Sequence, residues 1–160
     1  MQNQRQVHYF FADRTLGKLA KWLRILGFDT IFESDAAPKS DVGRLMSGRI
    51  LLTRIVQNRR RSDARRVVFI DVNDVYGQLK QVVAELTITP ADIRLFSICI
   101  KCNSAIIAVD KQSLFGQVPD YVWETHERFH RCRQCERIYW AGSHTERVKT
   151  VVERLFDESR

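Results

Sequence analysis

Cys99, Cys102, Cys132 and Cys135 are the only cysteines of the 160-residue chain, and they fall as two C-x-x-C pairs with 29 residues between them. Two thiolates three positions apart on a tight turn aim both sulfurs at one ion. A second such turn closes a tetrahedral site with Zn–S bonds of about 2.3 Å. Four thiolates leave no open coordination position, so the expected role of the Zn²⁺ is structural rather than catalytic. Disulfides are the competing reading. No apolar signal segment precedes the first strand-like run, which points to a reducing cytoplasmic setting and favours metal over disulfide. His126, His130 and His144 are spare candidate ligands, read as ordinary histidines because the thiolates already fill the site.

A second constellation is carboxylate-based. Asp13 stands at the end of an apolar run, Asp35 after a second, and Asp71 and Asp74 after a fourth, with Arg54 ending the third. Carboxylates converging at one edge of a sheet hold Mg²⁺ or Mn²⁺ against a phosphodiester, because hard cations prefer oxygen ligands. The alternative at Asp13 and Asp74 is helix capping, since each lies just before a helical pattern.

The elements that must position these groups alternate strand and helix. Strands are expected at Val7–Ala12, Phe28–Glu33, Ile50–Thr53 and Val67–Asp71. Leu16, Leu19, Ala20, Leu23 and Leu26 recur with helical period up to Gly27, and Lys18, Lys21 and Arg24 take the other side. A short helix at Val42–Met46 and a longer one at Val75–Leu86 follow, and Thr89-Pro90-Ala91-Asp92 carries a helix-start signature. Alternating β and α with apolar strands argues for an α/β fold, a parallel sheet covered on both faces. Ligands bind such sheets beyond the C-terminal strand ends, where the acids lie.

Beyond residue 95, β-branched and aromatic runs frame each cysteine pair, the pattern of a small zinc ribbon. This divides the chain into an α/β domain, 1–95, and a ribbon with a C-terminal helix, 96–160. The ribbon is too small to hold together by burial alone, which is the role of the metal. Ser143-His144-Thr145-Glu146 has capping-box spacing, so the helix is expected to begin immediately after Ser143, with Val148, Val151, Val152 and Leu155 on its apolar side. Trp123 and Trp140 are expected to pack against the knuckles.

Net charge is +7, and Arg54, Arg59, Arg60, Arg61, Arg65 and Arg66 fall within 13 positions. Together with Lys18, Lys21 and Arg24 they favour a polyanion partner, RNA first among the candidates, against the alternative of a solvated face. No stretch approaches the roughly 18 apolar residues of a membrane span. Repeats and low-complexity segments are absent.

The segment Phe11-Ala12-Asp13-Arg14-Thr15-Leu16-Gly17-Lys18-Leu19-Ala20-Lys21-Trp22-Leu23-Arg24-Ile25-Leu26-Gly27-Phe28-Asp29-Thr30 resembles the opening of the Mut-seven C-terminal domain family. Gly48-Arg49-Ile50-Leu51-Leu52-Thr53-Arg54, the Cys99-x-x-Cys102-Asn103 knuckle, Val118-Pro119, and Cys132-x-x-Cys135 running into Tyr139-Trp140-Ala141-Gly142-Ser143-His144 extend the match over nearly the whole chain. That resemblance implies a PIN-like fold with an appended zinc ribbon and a metal-dependent ribonuclease ancestry. Family members usually carry an aspartate straight after the Leu-Leu-Thr-Arg strand, where this chain has Ile55, and an acid between the second and third strands, for which Asp35 and Asp41 are the candidates. Only Asp13 transfers cleanly, and Asp71 is a possible substitute ligand.

Two readings therefore stand. One is a Mg²⁺- or Mn²⁺-dependent endoribonuclease using Asp13 with one or more of Asp35, Asp41 and Asp71. The other is a non-catalytic RNA-binding protein that keeps the basic surface and has lost metal ligands; a protein-interaction module built on the ribbon has the weakest support.

Overall fold

The computed structural model describes residues 7–35 and 41–157, and the chain forms two compact units, Met1–Asn103 and Ser104–Arg160. The first unit is α/β. Four strands, β1 (Phe10–Ala12), β2 (Thr30–Phe32), β3 (Ile50–Thr53) and β4 (Arg66–Phe69), lie in the order β2-β1-β3-β4, all parallel. Phe10 pairs with Thr30 on one side and Ile50 on the other. The central strands β1 and β3 are buried throughout, as a parallel sheet covered on both faces requires.

Helices α1 (Gly17–Ile25) and α3 (Val75–Glu85) pack on each other. The short α2 (Val42–Met46) supplies Met46 to the opposite face, against Phe11 and Leu51. Complete burial of side chains such as Phe10, Phe11 and Leu51 is worth about 1.5–3 kcal/mol each.

Strand β3 and α2 occupy the expected residues. Strands β1 and β2 are shorter than their apolar runs, because the flanking aromatics pack instead of joining the ladder. Phe28 is buried by an edge-on contact with Phe10, ring centroids 5.6 Å apart, and His8 stacks beside Phe10. Gly27 ends α1 at φ +91°, where a Cβ would fall 2.2 Å from the Arg94 carbonyl oxygen. That close approach belongs to a returning segment. The N–H groups of Arg94 and Phe96 donate to Leu26 O and Ile25 O, so the chain leading to the first cysteine pair lies along the end of α1.

Asp74 caps α3 by accepting from Gly77 N at 2.8 Å, as the helix-start reading expects. Thr89–Asp92 closes as expected, with Asp92 Oδ2 accepting from both Thr89 N and Thr89 Oγ1 at 2.8 Å, but it supports a single 3₁₀ turn only. The arginine-rich stretch forms a 3₁₀ turn at Val56–Arg60.

The second unit contains a three-stranded antiparallel sheet, β5 (Ile106–Val109), β6 (Phe129–Cys132) and β7 (Ile138–Trp140), in the order β5-β6-β7. Between β5 and β6 an insertion folds into a 3₁₀ turn and α4 (Asp120–Thr125), around a cluster of Leu114, Val118, Val122 and Phe129. Trp123 packs on this cluster, donating to Lys111 O at 3.1 Å and meeting Phe115 edge-on; this corrects the expectation that it packs on a knuckle.

Helix α5 spans Ser143–Asp157, with Val148 and Leu155 buried. It starts at Ser143 rather than after it. Glu146, which a capping box needs at Ser143, pairs with Lys149 at 3.0 Å, while Thr145 Oγ1 accepts from Gly142 N at 3.3 Å.

Candidate functional site

The sulfurs of Cys99, Cys102, Cys132 and Cys135 all lie within 4.8 Å of one another, and no disulfide joins them. A tetrahedral ion with bonds of about 2.3 Å holds its sulfurs about 3.8 Å apart, so a small contraction around Zn²⁺ closes the set. The backbone is already shaped for it. Asn103 and Glu136, one residue past each pair, take the left-handed conformation at φ 63° and 58°, turning the chain under the ion position. In the second knuckle the N–H groups of Gln134 and Cys135 face Cys132 Sγ at 3.4 and 3.5 Å, the donors that stabilise a thiolate. The four cysteines are positioned to hold a metal ion and are compatible with zinc. Among the described residues no histidine joins them. His126 Nδ1 sits 3.1 Å from Val122 O, as an ordinary histidine does.

The first knuckle is held by a side chain that the sequence places wrongly. Arg24, expected on the basic face of α1, is 3 % exposed. Its Nε donates to Thr30 O at 2.9 Å, and its Nη1 donates to Ile100 O at 2.9 Å and Lys101 O at 3.2 Å. Nη2 reaches Asp35 Oδ2 at 3.2 Å. The guanidinium fork thus ties β2 to the carbonyls between Cys99 and Cys102, and it is not available to RNA. Asn103 adds two bonds, accepting from Thr30 N at 2.8 Å and donating to Asp29 Oδ1 at 2.6 Å.

Asp13 lies at the C-terminal end of β1, where the strand order places the crevice between β1 and β3. It is buried, and both its oxygens are occupied. Oδ1 accepts from Thr15 N at 2.8 Å and from Thr15 Oγ1; Oδ2 accepts from Arg54 N at 3.0 Å and from Thr53 Oγ1. Four donors match the roughly four lone-pair positions a carboxylate offers. Asp13 therefore bolts the β1–α1 turn to the end of β3.

The other candidate acids do not gather around it. Asp35, half exposed, turns Oδ2 to Arg24, Asp41 flanks α2 without a side-chain capping bond, and Asp71 is exposed past the end of β4. Among the described residues the only convergent group of three or more His, Cys, Asp or Glu ligand atoms is the cysteine cluster. Ile55, half-buried, donates its N–H to Thr53 Oγ1 at 3.0 Å.

Asp13→Asn turns an acceptor into an NH₂ that faces donors. It is expected to cost about 1–3 kcal/mol of stability, read as a lowered melting temperature, with or without divalent metal. An unchanged melting temperature would show that these hydrogen bonds contribute nothing.

Of the basic residues, Lys18, Lys21, Arg59, Arg60, Arg65 and Arg66 are exposed. Arg59 stacks its guanidinium 3.6 Å above the Phe69 ring, and Arg54 Nη2 donates to Asn73 Oδ1 at 2.5 Å. Arg61 grips Asp63 through two hydrogen bonds, and these hold the Asp63 carboxyl below its ordinary range. Lys101, in the first knuckle, had no sequence signal beyond its place beside Cys102, whereas Asn103 belongs to the family-like Cys99-x-x-Cys102-Asn103 motif.

A family model described as the Mut7-C RNAse domain matches residues 8–152. The chain belongs to this family. Its match runs through Asp13, the Thr53–Arg54 strand end and all four cysteines. Neither a curated protein nor a solved structure matches this Mut7-C RNAse domain at a significant level. No described helix is long and apolar enough to cross a membrane.

Proposed function

We propose that this Mut7-C RNAse domain binds single-stranded RNA in the cytoplasm on a PIN-like scaffold whose divalent-metal site is reduced to Asp13, and that its zinc ribbon carries a structural Zn²⁺. The observation that carries the reading is the saturation of the Asp13 carboxylate by four protein donors, with the nearby Glu33 carboxylate already engaged by Arg14 N at 2.8 Å. A cation there would have to displace those donors to gain an oxygen of Asp13, and among the described residues no group of three or more carboxylate or histidine ligands gathers around it. The net charge of +7 and the Arg54–Arg66 cluster supply the polyanion attraction.

The family description favours a second reading, a metal-dependent endoribonuclease in which Asp13 and one or more of Asp35, Asp41 and Asp71 hold Mg²⁺ or Mn²⁺.

Ile55→Asp separates the two, because it restores a carboxylate after the Leu-Leu-Thr-Arg strand end. The wild type is expected to bind RNA without cutting it, and Ile55→Asp is expected to gain Mn²⁺ binding in calorimetry. Metal-dependent cleavage by the wild type, with no gain from the substitution, would establish the enzyme reading instead.

RNA affinity is expected to fall with salt. Replacing Arg59, Arg60 and Arg61 by alanine should lower the log–log slope by about 1.4, two phosphate contacts at about 0.7 each, since Arg61 is neutralised by Asp63. An unchanged slope would make the run a solvated face.

A further inference from the structure

A cavity of about 440 Å³ opens in the first unit, lined by Lys18, Lys21, Phe32, Asp35, Ile100 and Lys101, with Arg24 in its wall. It neighbours the Asp13 turn. Arg14 N, directly after Asp13, donates to Glu33 Oε2 at 2.8 Å, joining that turn to the residues following Phe32.

The charge in this cavity is one-sided. Lys18 and Lys21 are exposed three positions apart on α1, so they share a face, and Lys101 is exposed on the knuckle. Among the described residues none of the three pairs with a carboxylate. The acid in the wall, Asp35, is already met by Arg24. An anion entering the cavity therefore finds three ammonium groups and little competition.

The remaining wall is apolar. The Phe32 ring lies against Gly17, where even a Cβ would stand 3.0 Å from its Cζ, and Ile100 contributes an aliphatic surface. A free phosphate has no use for that surface, whereas a nucleobase stacks on it. The volume falls within the roughly 300–1,000 Å³ of small-ligand sites.

We propose that this cavity is a nucleotide subsite for single-stranded RNA, with Lys18, Lys21 and Lys101 holding the phosphate and Phe32 with Ile100 taking the base. It rests on the RNA-binding reading above and extends it from a diffuse basic surface to a specific pocket. Because Ile100 and Lys101 lie between Cys99 and Cys102, the metal knuckle forms one wall of the subsite.

The test uses the full, zinc-loaded chain and a fluorescent 12-nucleotide oligouridylate. Lysine acetylation with and without RNA, read by mass spectrometry, is expected to show Lys18, Lys21 and Lys101 protected at least threefold and Lys149 on α5 unprotected. Lys18→Gln, Lys21→Gln and Lys101→Gln combined should lower the salt slope by about 2, at about 0.7 per contact. An abasic oligomer of the same length should bind about tenfold more weakly, within the range of one lost base–aromatic stack. RNA that binds without protecting these lysines and with an unchanged slope would overturn the subsite while leaving RNA binding intact. An abasic oligomer that binds equally well would reduce the cavity to a phosphate clamp and overturn the nucleotide assignment. No RNA binding at low salt would overturn both this proposal and the reading beneath it.

Discussion

Cys132→Ser is expected to release the metal and unfold β5–β7 while leaving the parallel sheet folded. Cys132 is buried, at the end of β6, and two backbone N–H groups are aimed at its sulfur. Metal binding at a four-thiolate site supplies on the order of 10 kcal/mol of apparent free energy, and most of the second unit's small strands depend on it. The first unit has its own core of buried Phe10, Phe11, Leu19, Leu23, Leu51 and Leu52. Hydrogen exchange should therefore collapse in Ile106–Trp140 and persist in β1 and β3, and chelation should reproduce the pattern. Protein purified without zinc but fully protected in β5–β7 would contradict this.

The second large effect is expected at Arg24→Ala. Truncation removes the charged donor from three backbone carbonyls, the buried one of Thr30 and the part-buried ones of Ile100 and Lys101. The loss is put at about 3 kcal/mol, because one buried and two part-buried acceptors lose one charged donor together. The variant also frees the loop between Cys99 and Cys102, so zinc affinity should fall 10- to 100-fold, the usual effect of removing groups that orient metal ligands. Arg24→Lys should rescue little, since one ammonium cannot span acceptors that the guanidinium fork reaches in parallel. Competition with a chromophoric chelator measures the affinity, and an unchanged value would show that the knuckle orients itself.

The residues that the sequence reveals best are those with local causes. Cys-x-x-Cys spacing, the apolar run Ile50–Thr53, the short α2 and the Asp74 cap are fixed by neighbours a few positions away, and each appears where its pattern places it. Arg24 misleads because its partners Ile100 and Lys101 lie more than 70 positions along the chain. Helical period assigns it to the charged face of α1, and only the returning knuckle buries it. Asp13 is a related case. A carboxylate at a strand end reads as a metal ligand or a cap, and only the approach of β3, with Thr53 and Arg54, shows its oxygens already filled. The α4 insertion was legible in principle, since Val118 and Val122 flank a Pro119-Asp120 helix start, but its short length gives little period to detect.

The most direct test of the account is a single titration of labelled single-stranded RNA with the zinc-loaded chain in Mn²⁺, followed both by mobility shift and by denaturing gel. The account predicts a shifted, intact RNA whose binding weakens steeply with salt and is indifferent to Mn²⁺. Cleavage that requires Mn²⁺ and disappears in Asp13→Asn, with that variant still folded and still binding RNA, would contradict it.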